Sequence, residues 1–570
     1  TNNAGLLTMT NPADQLTING NADFDGADMG NSTLTAGLLI VKGNFTTHNA
    51  HTQGYRSAGT HITRLAGTSA QTISIYYPAD AQQRIQNLEF QNAAGVTFGS
   101  PVDAVNVSVL GTTPVGGLQT LFVTGAVTAA ASTNLSGMAG VTVYGGSTLP
   151  AMLGAPPPVV TIDGTAVTMT TGPITVGGNL TLTNSGALTL NGQQLTVGGN
   201  FATTNNAGLL TMTNPADQLT INGNADFDGA DMGNSTLTAG LLIVKGNFTT
   251  HNAHTQGYRS AGTHITRLAG TSTQLINIYY PLDNQQRIQN LQFQNAVGVT
   301  FQTNVSVVNA SISTGTSLSG ASSGLYSVGA VTSTAGTSLA GLGFVVVYGG
   351  TTMPAFAGTP PPVTYLDAAL GAAITMTAPV TFSSGDLVVT NSATLTLNGQ
   401  ALTLNGNFYT ANNGNLLMTN PADLFTISGF ADWDGADMGA SSLTAGLLIV
   451  NGNFVTHNSH TQSFSAFGTH TTRFAGSGPQ VVSFYYPSPA QHHFANVQVA
   501  AGSTLSITAS NVDVLGNLVQ SGVLNVSSPF ILNITGNLSL NSASNTTVTG
   551  SLLKGSCTPA GGTFIGFTCP

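Results

Sequence analysis

The stretch LTLNGQQLTVGGNF, residues 188–201, contains the pattern on which the fold prediction depends. Apolar Leu and Val alternate with Thr and Gln on both sides of an Asn-Gly pair, and a Gly-Asn-Phe triplet closes the run. Such alternation predicts short strands, and Asn-Gly predicts a tight turn between them. We therefore expect strands of four to six residues that are separated by turns rich in Gly and Asn.

The Gly-Asn pair recurs at short, regular intervals along the chain. Successive asparagines are 21, 24 and 23 residues apart in the clearest run, which comprises Asn179, Asn200, Asn224 and Asn247. This period predicts a right-handed parallel β-solenoid, because stacked coils bury a continuous column of Val, Leu, Ile and Ala. At about 22 residues per coil the chain would form roughly 26 coils, a rod on the order of 125 Å long. A side-chain amide ladder of the corner asparagines can join the coils.

Tandem β-sandwich domains are the alternative fold, since they also combine short strands with regular turns. We favour the solenoid because the short period persists inside a much longer one. Residues 1–69 recur unchanged at 204–272, and a diverged third copy begins near Asn412. We therefore predict three repeat units: unit 1 at 1–171, which is incomplete at its N-terminal side, unit 2 at 172–377, and a diverged unit 3 at 378–554. A C-terminal cap or tail follows at 555–570.

The composition excludes several classes of protein. Only 5% of the 570 residues are charged, and the net charge is −10. Nucleic-acid binding without sequence preference needs the opposite sign, so we expect no nucleic-acid partner. The hydrophobic fraction of 41% is too high for a disordered chain, and no apolar run is long enough for a transmembrane helix.

The two cysteines, Cys557 and Cys569, lie close together near the end of the sequence. Their spacing predicts a disulfide that closes a small loop, which suits an oxidising, extracellular location. The chain starts inside a repeat, from which we expect that a further segment precedes Thr1.

The repeats also resemble a known class of proteins. The Gly-Asn-Leu/Phe corners, the Thr10–Asp14 segment, the Gly59–Gly67 stretch and the Phe90–Ala93 run are similar in style to long secreted bacterial proteins, the filamentous-haemagglutinin-type adhesins and surface fibres. The resemblance implies export to the bacterial cell surface, a rod, and an adhesive or scaffolding task. It supplies no catalytic residues.

Acidic residues are concentrated in one short segment of each copy. Carboxylates that alternate along a strand and precede a turn are hard oxygen ligands, so calcium is the predicted ion. A solvated acidic turn that keeps a weakly charged protein soluble is the alternative. The predicted calcium ligands are Asp23, Asp25, Asp28, Asp226, Asp228, Asp231, Asp432, Asp434 and Asp437.

Histidines and tyrosines form two further repeated groups. The histidine pairs, such as His48 and His51, could hold a transition metal only with a ligand from a neighbouring coil, and a polar loop is the simpler interpretation. The Tyr-Tyr-Pro triplets predict one inward and one outward ring, and the outward ring could contact a sugar or a neighbouring subunit. The contact candidates are Tyr76, Tyr77, Tyr279, Tyr280, Tyr485 and Tyr486.

The sequence thus predicts a secreted structural protein and not an enzyme. The leading hypothesis is a homopolymeric surface filament whose subunits associate head-to-tail, because a heterologous contact that does not close builds filaments. A monomeric adhesin stalk that binds a surface or a glycan is the alternative. The third hypothesis is a polysaccharide-active β-helix enzyme, which would need one carboxylate-lined groove in place of repeated acidic turns.

Overall fold

The computed structural model consists of two compact units, Thr1–Leu291 and Gln292–Pro570, and each is built from stacked β-coils. The structure describes the whole chain except residues 1–4, 49–50, 79–81, 147, 153, 206, 252–253, 282–284, 349–351, 368–372, 542–543, 560–561 and 570. The predicted all-β parallel solenoid is confirmed, with about 24 turns where the sequence period suggested roughly 26.

The described residues form short strands and three helices of four residues each. The helices are α1 (Gly30–Thr33), α2 (Gly233–Thr236) and α3 (Gly439–Ser442). The strands up to the second copy of the repeat are β1 (Gln15–Ile18), β2 (Ala22–Phe24), β3 (Leu38–Val41), β4 (Phe45–Thr47), β5 (Ile62–Leu65), β6 (Gln71–Ser74), β7 (Ile85–Phe90), β8 (Val96–Phe98), β9 (Val102–Val109), β10 (Pro114–Gly116), β11 (Thr120–Val123), β12 (Val127–Ala129), β13 (Asn134–Gly137), β14 (Gly140–Tyr144), β15 (Ala151–Met152), β16 (Val159–Asp163), β17 (Ala166–Thr168), β18 (Ile174–Val176), β19 (Asn179–Thr183), β20 (Ala187–Thr189), β21 (Gln194–Val197) and β22 (Phe201–Thr203).

The next strands are β23 (Leu209–Thr211), β24 (Gln218–Ile221), β25 (Ala225–Phe227), β26 (Leu241–Val244), β27 (Phe248–Thr250), β28 (Ile265–Leu268), β29 (Gln274–Asn277), β30 (Ile288–Phe293), β31 (Val299–Phe301), β32 (Val305–Ile312), β33 (Ser317–Ser327), β34 (Val331–Ser333), β35 (Ser338–Tyr348), β36 (Ala355–Phe356), β37 (Val363–Asp367), β38 (Ala373–Thr375), β39 (Val380–Phe382), β40 (Asp386–Thr390) and β41 (Thr394–Thr396). The remaining strands are β42 (Ala401–Leu404), β43 (Phe408–Thr410), β44 (Asn415–Leu417), β45 (Leu424–Ile427), β46 (Ala431–Trp433), β47 (Leu447–Val450), β48 (Phe454–Thr456), β49 (Thr471–Phe474), β50 (Pro479–Ser483), β51 (Asn496–Val499), β52 (Thr504–Ile507), β53 (Val512–Val514), β54 (Leu518–Gln520), β55 (Val523–Val526), β56 (Ile531–Leu540), β57 (Asn545–Val548), β58 (Ser551–Pro559) and β59 (Thr563–Ile565).

Each strand pairs in parallel with the equivalent strand of the next coil. In the first unit Leu16 pairs with Leu39, and Leu39 pairs with Thr63, so the coils take 23 and then 24 residues. In the second unit the same arrangement links β35, β37, β40, β43, β46 and β48 in succession. The repeat period of the sequence is therefore the length of one coil.

The core of each unit is a column of apolar side chains that point inward from successive coils. Leu180 pairs in register with Phe201, and both side chains are fully buried, whereas the intervening Thr181 points outward. Burial of such a side chain stabilises the fold by roughly 1.5–3 kcal/mol. In the second unit the column includes Trp433, which packs with ring centroids 5.1 Å from Phe408 and 4.9 Å from Phe464.

A ladder of hydrogen bonds at the Gly-Asn corners joins neighbouring coils. The Asn200 backbone N–H donates to Asn179 Oδ1 at 2.8 Å, and the Asn224 N–H donates to Asn200 Oδ1 at 2.8 Å. The predicted ladder between side-chain amides is thus wrong in its chemistry, because each side-chain oxygen accepts from the backbone of the next coil. The second unit has the same contact between Asn517 and Asn496, at 3.1 Å.

The glycine before each ladder asparagine makes room for the coil beneath it. A Cβ at Gly223 would overlap with Asn200 Oδ1 and would lie 2.7 Å from the carbonyl carbon of Gly199. Its counterpart in the identical first copy, Gly20, has no atom within 4 Å of the same position. Stacking therefore explains why glycine precedes asparagine.

We predict that Gly223→Ala destabilises the first unit by about 1–3 kcal/mol, because the added methyl group overlaps with the neighbouring coil. Gly20→Ala is the matched control, since the surrounding sequence is identical and the space is open. Chemical denaturation of the full chain measures both variants. Equal stability of the two variants would show that the ladder does not need the glycine.

Candidate functional site

The acidic segments and the histidine segments meet across neighbouring coils. Asp226 lies on β25, and His251 follows β27, which pairs with β25. His251 Nε2 is 2.7 Å from Asp226 Oδ1. The corresponding pairs, Asp23 with His48 and Asp432 with His457, have the same separation of 2.7 Å. These residues therefore hold one coil against the next in all three copies.

A second aspartate of each segment holds the loop of the following coil. Asp231 Oδ1 accepts a hydrogen bond from the Gln256 backbone N–H at 2.8 Å, and Asp231 Oδ2 lies 3.5 Å from His254 Nδ1. The same contacts are made by Asp28 with Gln53 and His51, and by Asp437 with Gln462 and His460. In the sequence, each of these aspartates lies about one coil length before the histidine that it contacts.

The predicted calcium ligands do not converge on a common point. Among the residues that the structure describes, no group of three or more His, Cys, Asp or Glu side chains is arranged to hold a metal ion. In each copy, two of the three predicted ligands contact histidine or backbone groups of the adjacent coil. The calcium hypothesis for Asp23, Asp25, Asp28 and their counterparts at 226, 228, 231, 432, 434 and 437 therefore finds no support in the geometry.

A third histidine of each copy is buried inside the solenoid. His264 Nδ1–H donates to the Ala239 carbonyl at 2.8 Å, and its Nε2 lies 3.3 Å from the Tyr258 hydroxyl. Burial lowers the pKa of His264 to about 4, although the hydrogen bond to Ala239 opposes this. His61 and His470 occupy the same place, and burial lowers their pKa as well. These imidazoles are structural and neutral.

The tyrosine pairs differ from the prediction of one buried and one exposed ring on a strand. Tyr76 and Tyr77 lie in a bend after β6, and their rings pack edge to face at 4.9 Å. Neither ring is buried, because the strand ends before it reaches them. The outer tyrosine of each pair is more than half exposed: Tyr76 at 56%, Tyr279 at 53% and Tyr485 at 57%. The rings of Tyr279–Tyr280 and Tyr485–Tyr486 make the same contact at 4.9 Å.

A glutamine that supports the histidine loop is replaced by histidine in the third copy. Gln286 Nε2 donates to the carbonyl oxygens of His251 and His254, at 3.0 and 3.1 Å. His492 stands at this place in the third copy, and its Nε2 lies 3.1 Å from the His460 carbonyl oxygen. Imidazole thus replaces the carboxamide while it keeps the contact with the same loop.

The C-terminal cysteines are joined in a disulfide, Cys557–Cys569. Cys557 lies on β58, and Cys569 follows β59. The bond therefore links the segments around these two strands.

The most site-like feature is a cavity of about 430 Å³ on the outer face of the second unit, which we call the tyrosine–aspartate cavity. Its floor is the outward side of β37, β40, β43 and β46, where Tyr365, Val388, Tyr409 and Asp432 are paired in register. The titratable residues in its lining are Tyr365, Asp386, Tyr409, Asp432, Asp434 and His457.

The equivalent outward column of the second copy lacks the aromatic walls. There, β16, β19, β22 and β25 present Thr161, Thr181, Ala202 and Asp226 in register. Asn179 stands where the third copy has Asp386. This replacement of Asn179 by Asp386 and of Ala202 by Tyr409 is visible in the sequence when the copies are aligned, because both changes fall on outward positions of successive coils.

Comparison of the chain with protein-family models, with curated proteins and with solved structures finds no match. The class that the fold defines is therefore the parallel β-solenoid with tandem repeats. The resemblance to filamentous-haemagglutinin-type adhesins stays a prediction. In the part of the chain that the structure describes, no helix has the length and apolar character needed to cross a membrane.

We predict that the buried histidines make the fold less stable as the pH falls from about 6.5 toward 5. The folded-state pKa of His264 lies near 4, below its ordinary value of 6.5, so in this window the unfolded chain binds more protons. His264→Gln should reduce the slope of unfolding free energy against pH by up to about 1.4 kcal/mol per pH unit. Denaturant titrations at several pH values measure the slope, and an unchanged slope in the variant would contradict the prediction.

Proposed function

We propose that the protein is an extracellular structural protein, a subunit of a surface fibre or filament in which solenoids associate head-to-tail. One observation carries the proposal. Most of the Asp and His residues in the recurring acidic and histidine segments, the residue types that most often serve chemistry, are used for contacts between coils. Repeated use of the same contact between neighbours is expected of a stacked repeat protein with a structural role.

The composition and the disulfide support this proposal. With a charge content of 5%, copies of the chain repel one another little. The disulfide Cys557–Cys569 suits an oxidising compartment such as the cell exterior.

The strands β58 and β59 offer a surface for association with a second copy. Leu553 on β58 is 53% exposed, and Ile565 on β59 is 57% exposed. Apolar side chains on exposed strands favour addition of a further β-layer, and in a head-to-tail contact that layer belongs to the next subunit.

The tyrosine–aspartate cavity favours the alternative of a binding stalk, because it offers a place for a ligand on the outer face of the second unit. A polysaccharide-active enzyme would need Arg or Lys beside the carboxylates of its groove. Three carboxylates line the cavity, but its described lining contains neither Arg nor Lys. We therefore propose no catalytic activity.

We predict that electron microscopy of the purified chain shows filaments and that Leu553→Lys with Ile565→Lys shortens or abolishes them, since a charge on this surface opposes stacking. Leu118→Lys is the control, because Leu118 is 80% exposed elsewhere in the first unit. Filaments should persist in EDTA, because two of the three recurring aspartates in each copy already have protein partners and the three, all of which the structure describes, do not form a metal site. If the unmodified chain forms only single particles at high concentration, the filament hypothesis is wrong and the monomeric stalk is the better proposal.

A further inference from the structure

We propose that the tyrosine–aspartate cavity binds an organic ammonium ion, that is, a protonated amine on a small molecule or oligomer. This binding site goes beyond the structural role proposed above and does not depend on it. The cavity volume of about 430 Å³ lies in the range of small-ligand sites, which is roughly 300–1,000 Å³.

Two tyrosines form aromatic walls on either side of the cavity floor. Tyr365 and Tyr409 are two coils apart, with Val388 in register between them, so their backbones are separated by about 9–10 Å. Each ring is supported edge to face by a phenylalanine, Tyr365 by Phe344 at 6.0 Å and Tyr409 by Phe430 at 5.4 Å. Supported tyrosine faces attract a cation through the negative face of the ring.

The charge of the lining selects a cation over a neutral or acidic ligand. Asp386, Asp432 and Asp434 contribute three carboxylates, and the described lining holds no Lys or Arg to balance them. Only Asp432 has a basic partner, His457, at 2.7 Å. A protonated amine would therefore enter a region of negative potential and form charge-assisted hydrogen bonds.

One buried carboxylate oxygen of the cavity has neither a hydrogen-bond donor nor a basic partner. Asp434 Oδ1 is buried and has no hydrogen-bond partner in the structure. A buried acceptor without a donor is unfavourable, and an ammonium N–H is a suitable donor for it. By contrast, Asp386 already accepts one hydrogen bond, from the Asn407 backbone N–H at 2.8 Å.

The titration behaviour of the lining agrees with a negative, partly dehydrated site. Burial raises the pKa of Tyr409, and the nearby carboxylate of Asp386 raises it further. Burial also raises the pKa of Asp432, although His457 opposes the shift. A cation would relieve the mutual repulsion of these groups.

Comparison with the second copy of the repeat distinguishes the residues proposed for binding from the residues needed for stacking. Both copies have the Asp–His contact: His251 Nε2 is 2.7 Å from Asp226 Oδ1, and His457 Nε2 is 2.7 Å from Asp432 Oδ1. In the coils that precede the second copy, Thr161, Asn179 and Ala202 stand where Tyr365, Asp386 and Tyr409 stand in the coils that precede the third. The features that distinguish the cavity are therefore dispensable for stacking, which is what a binding function predicts.

Isothermal titration of the full chain in mildly acidic, low-salt buffer tests the proposal. The probes are spermidine and a glucosamine trimer, which both carry protonated amines, and the N-acetylglucosamine trimer is the neutral counterpart. We expect at least one amine probe to bind at a single site and the neutral trimer not to bind. Binding of only spermidine identifies a polyamine site, and binding of only the glucosamine trimer identifies an amino-sugar site.

Three variants locate the binding. Asp386→Asn removes one charge but keeps the oxygen that Asn407 needs, and Asn is the natural residue at position 179. We expect it to weaken binding about tenfold, as loss of one charge-assisted contact would. Tyr409→Ala, which copies Ala202, should weaken binding roughly three- to tenfold. Asp228→Asn, at the second-copy position that corresponds to Asp434, removes a charge outside the cavity and should leave binding unchanged.

Two results would overturn the proposal. One is that neither amine probe binds, or that the neutral trimer binds equally well. The other is that Asp386→Asn and Tyr409→Ala bind the amines as tightly as the unmodified chain while circular dichroism shows all variants folded. Filament formation is measured separately, so failure here leaves the structural proposal standing.

Discussion

The fold depends on the stacking of one coil directly on the next in parallel register. Neighbouring coils are separated by about 4.8 Å, so a side chain at a corner must fit against the same corner of the next coil. At the Gly-Asn corners this leaves space for an asparagine oxygen but not for a Cβ. The Asn179–Asn200–Asn224 ladder is therefore a geometric requirement of the stack as well as a source of hydrogen bonds.

The same constraint explains how the polar residues are used. Groups that share a register position lie one coil apart in the sequence and meet in space. Asp23 pairs in register with Thr46, and His48 follows just after that strand, so the Asp23 and His48 side chains also meet across neighbouring coils. A polar residue in a solenoid thus finds its partner in the adjacent coil, and repeated polar motifs are a consequence of stacking before they are evidence of a ligand.

Much of the fold could be predicted from the sequence, because strand alternation and the 20–24-residue period both follow from the backbone geometry. The chemistry of the ladder could not, since an amide side chain can donate or accept and only the structure shows its partner. The Tyr76–Tyr77 pair was misplaced because the strand ends at Ser74, and strand ends are set by local turns. The Asp–His contacts were detectable, because the separations of 25 residues between Asp23 and His48 and of 23 residues between Asp28 and His51 are close to the length of one coil.

The tyrosine–aspartate cavity was also within reach of the sequence, and its position follows from the difference between inward and outward residues. Inward side chains pack against one another, so a substitution at one inward position is accompanied by a substitution at its neighbour. Trp433 replaces the Phe227 of the second copy, and the adjacent Phe464 replaces Tyr258, so the core remains filled. Outward positions can change one at a time, as Ala202 and Tyr409 illustrate. Since Trp433 is fully buried, its neighbour Asp432 on β46 points outward, and the stacking of this strand thereby sets the position of side chains on a face that can acquire new chemistry.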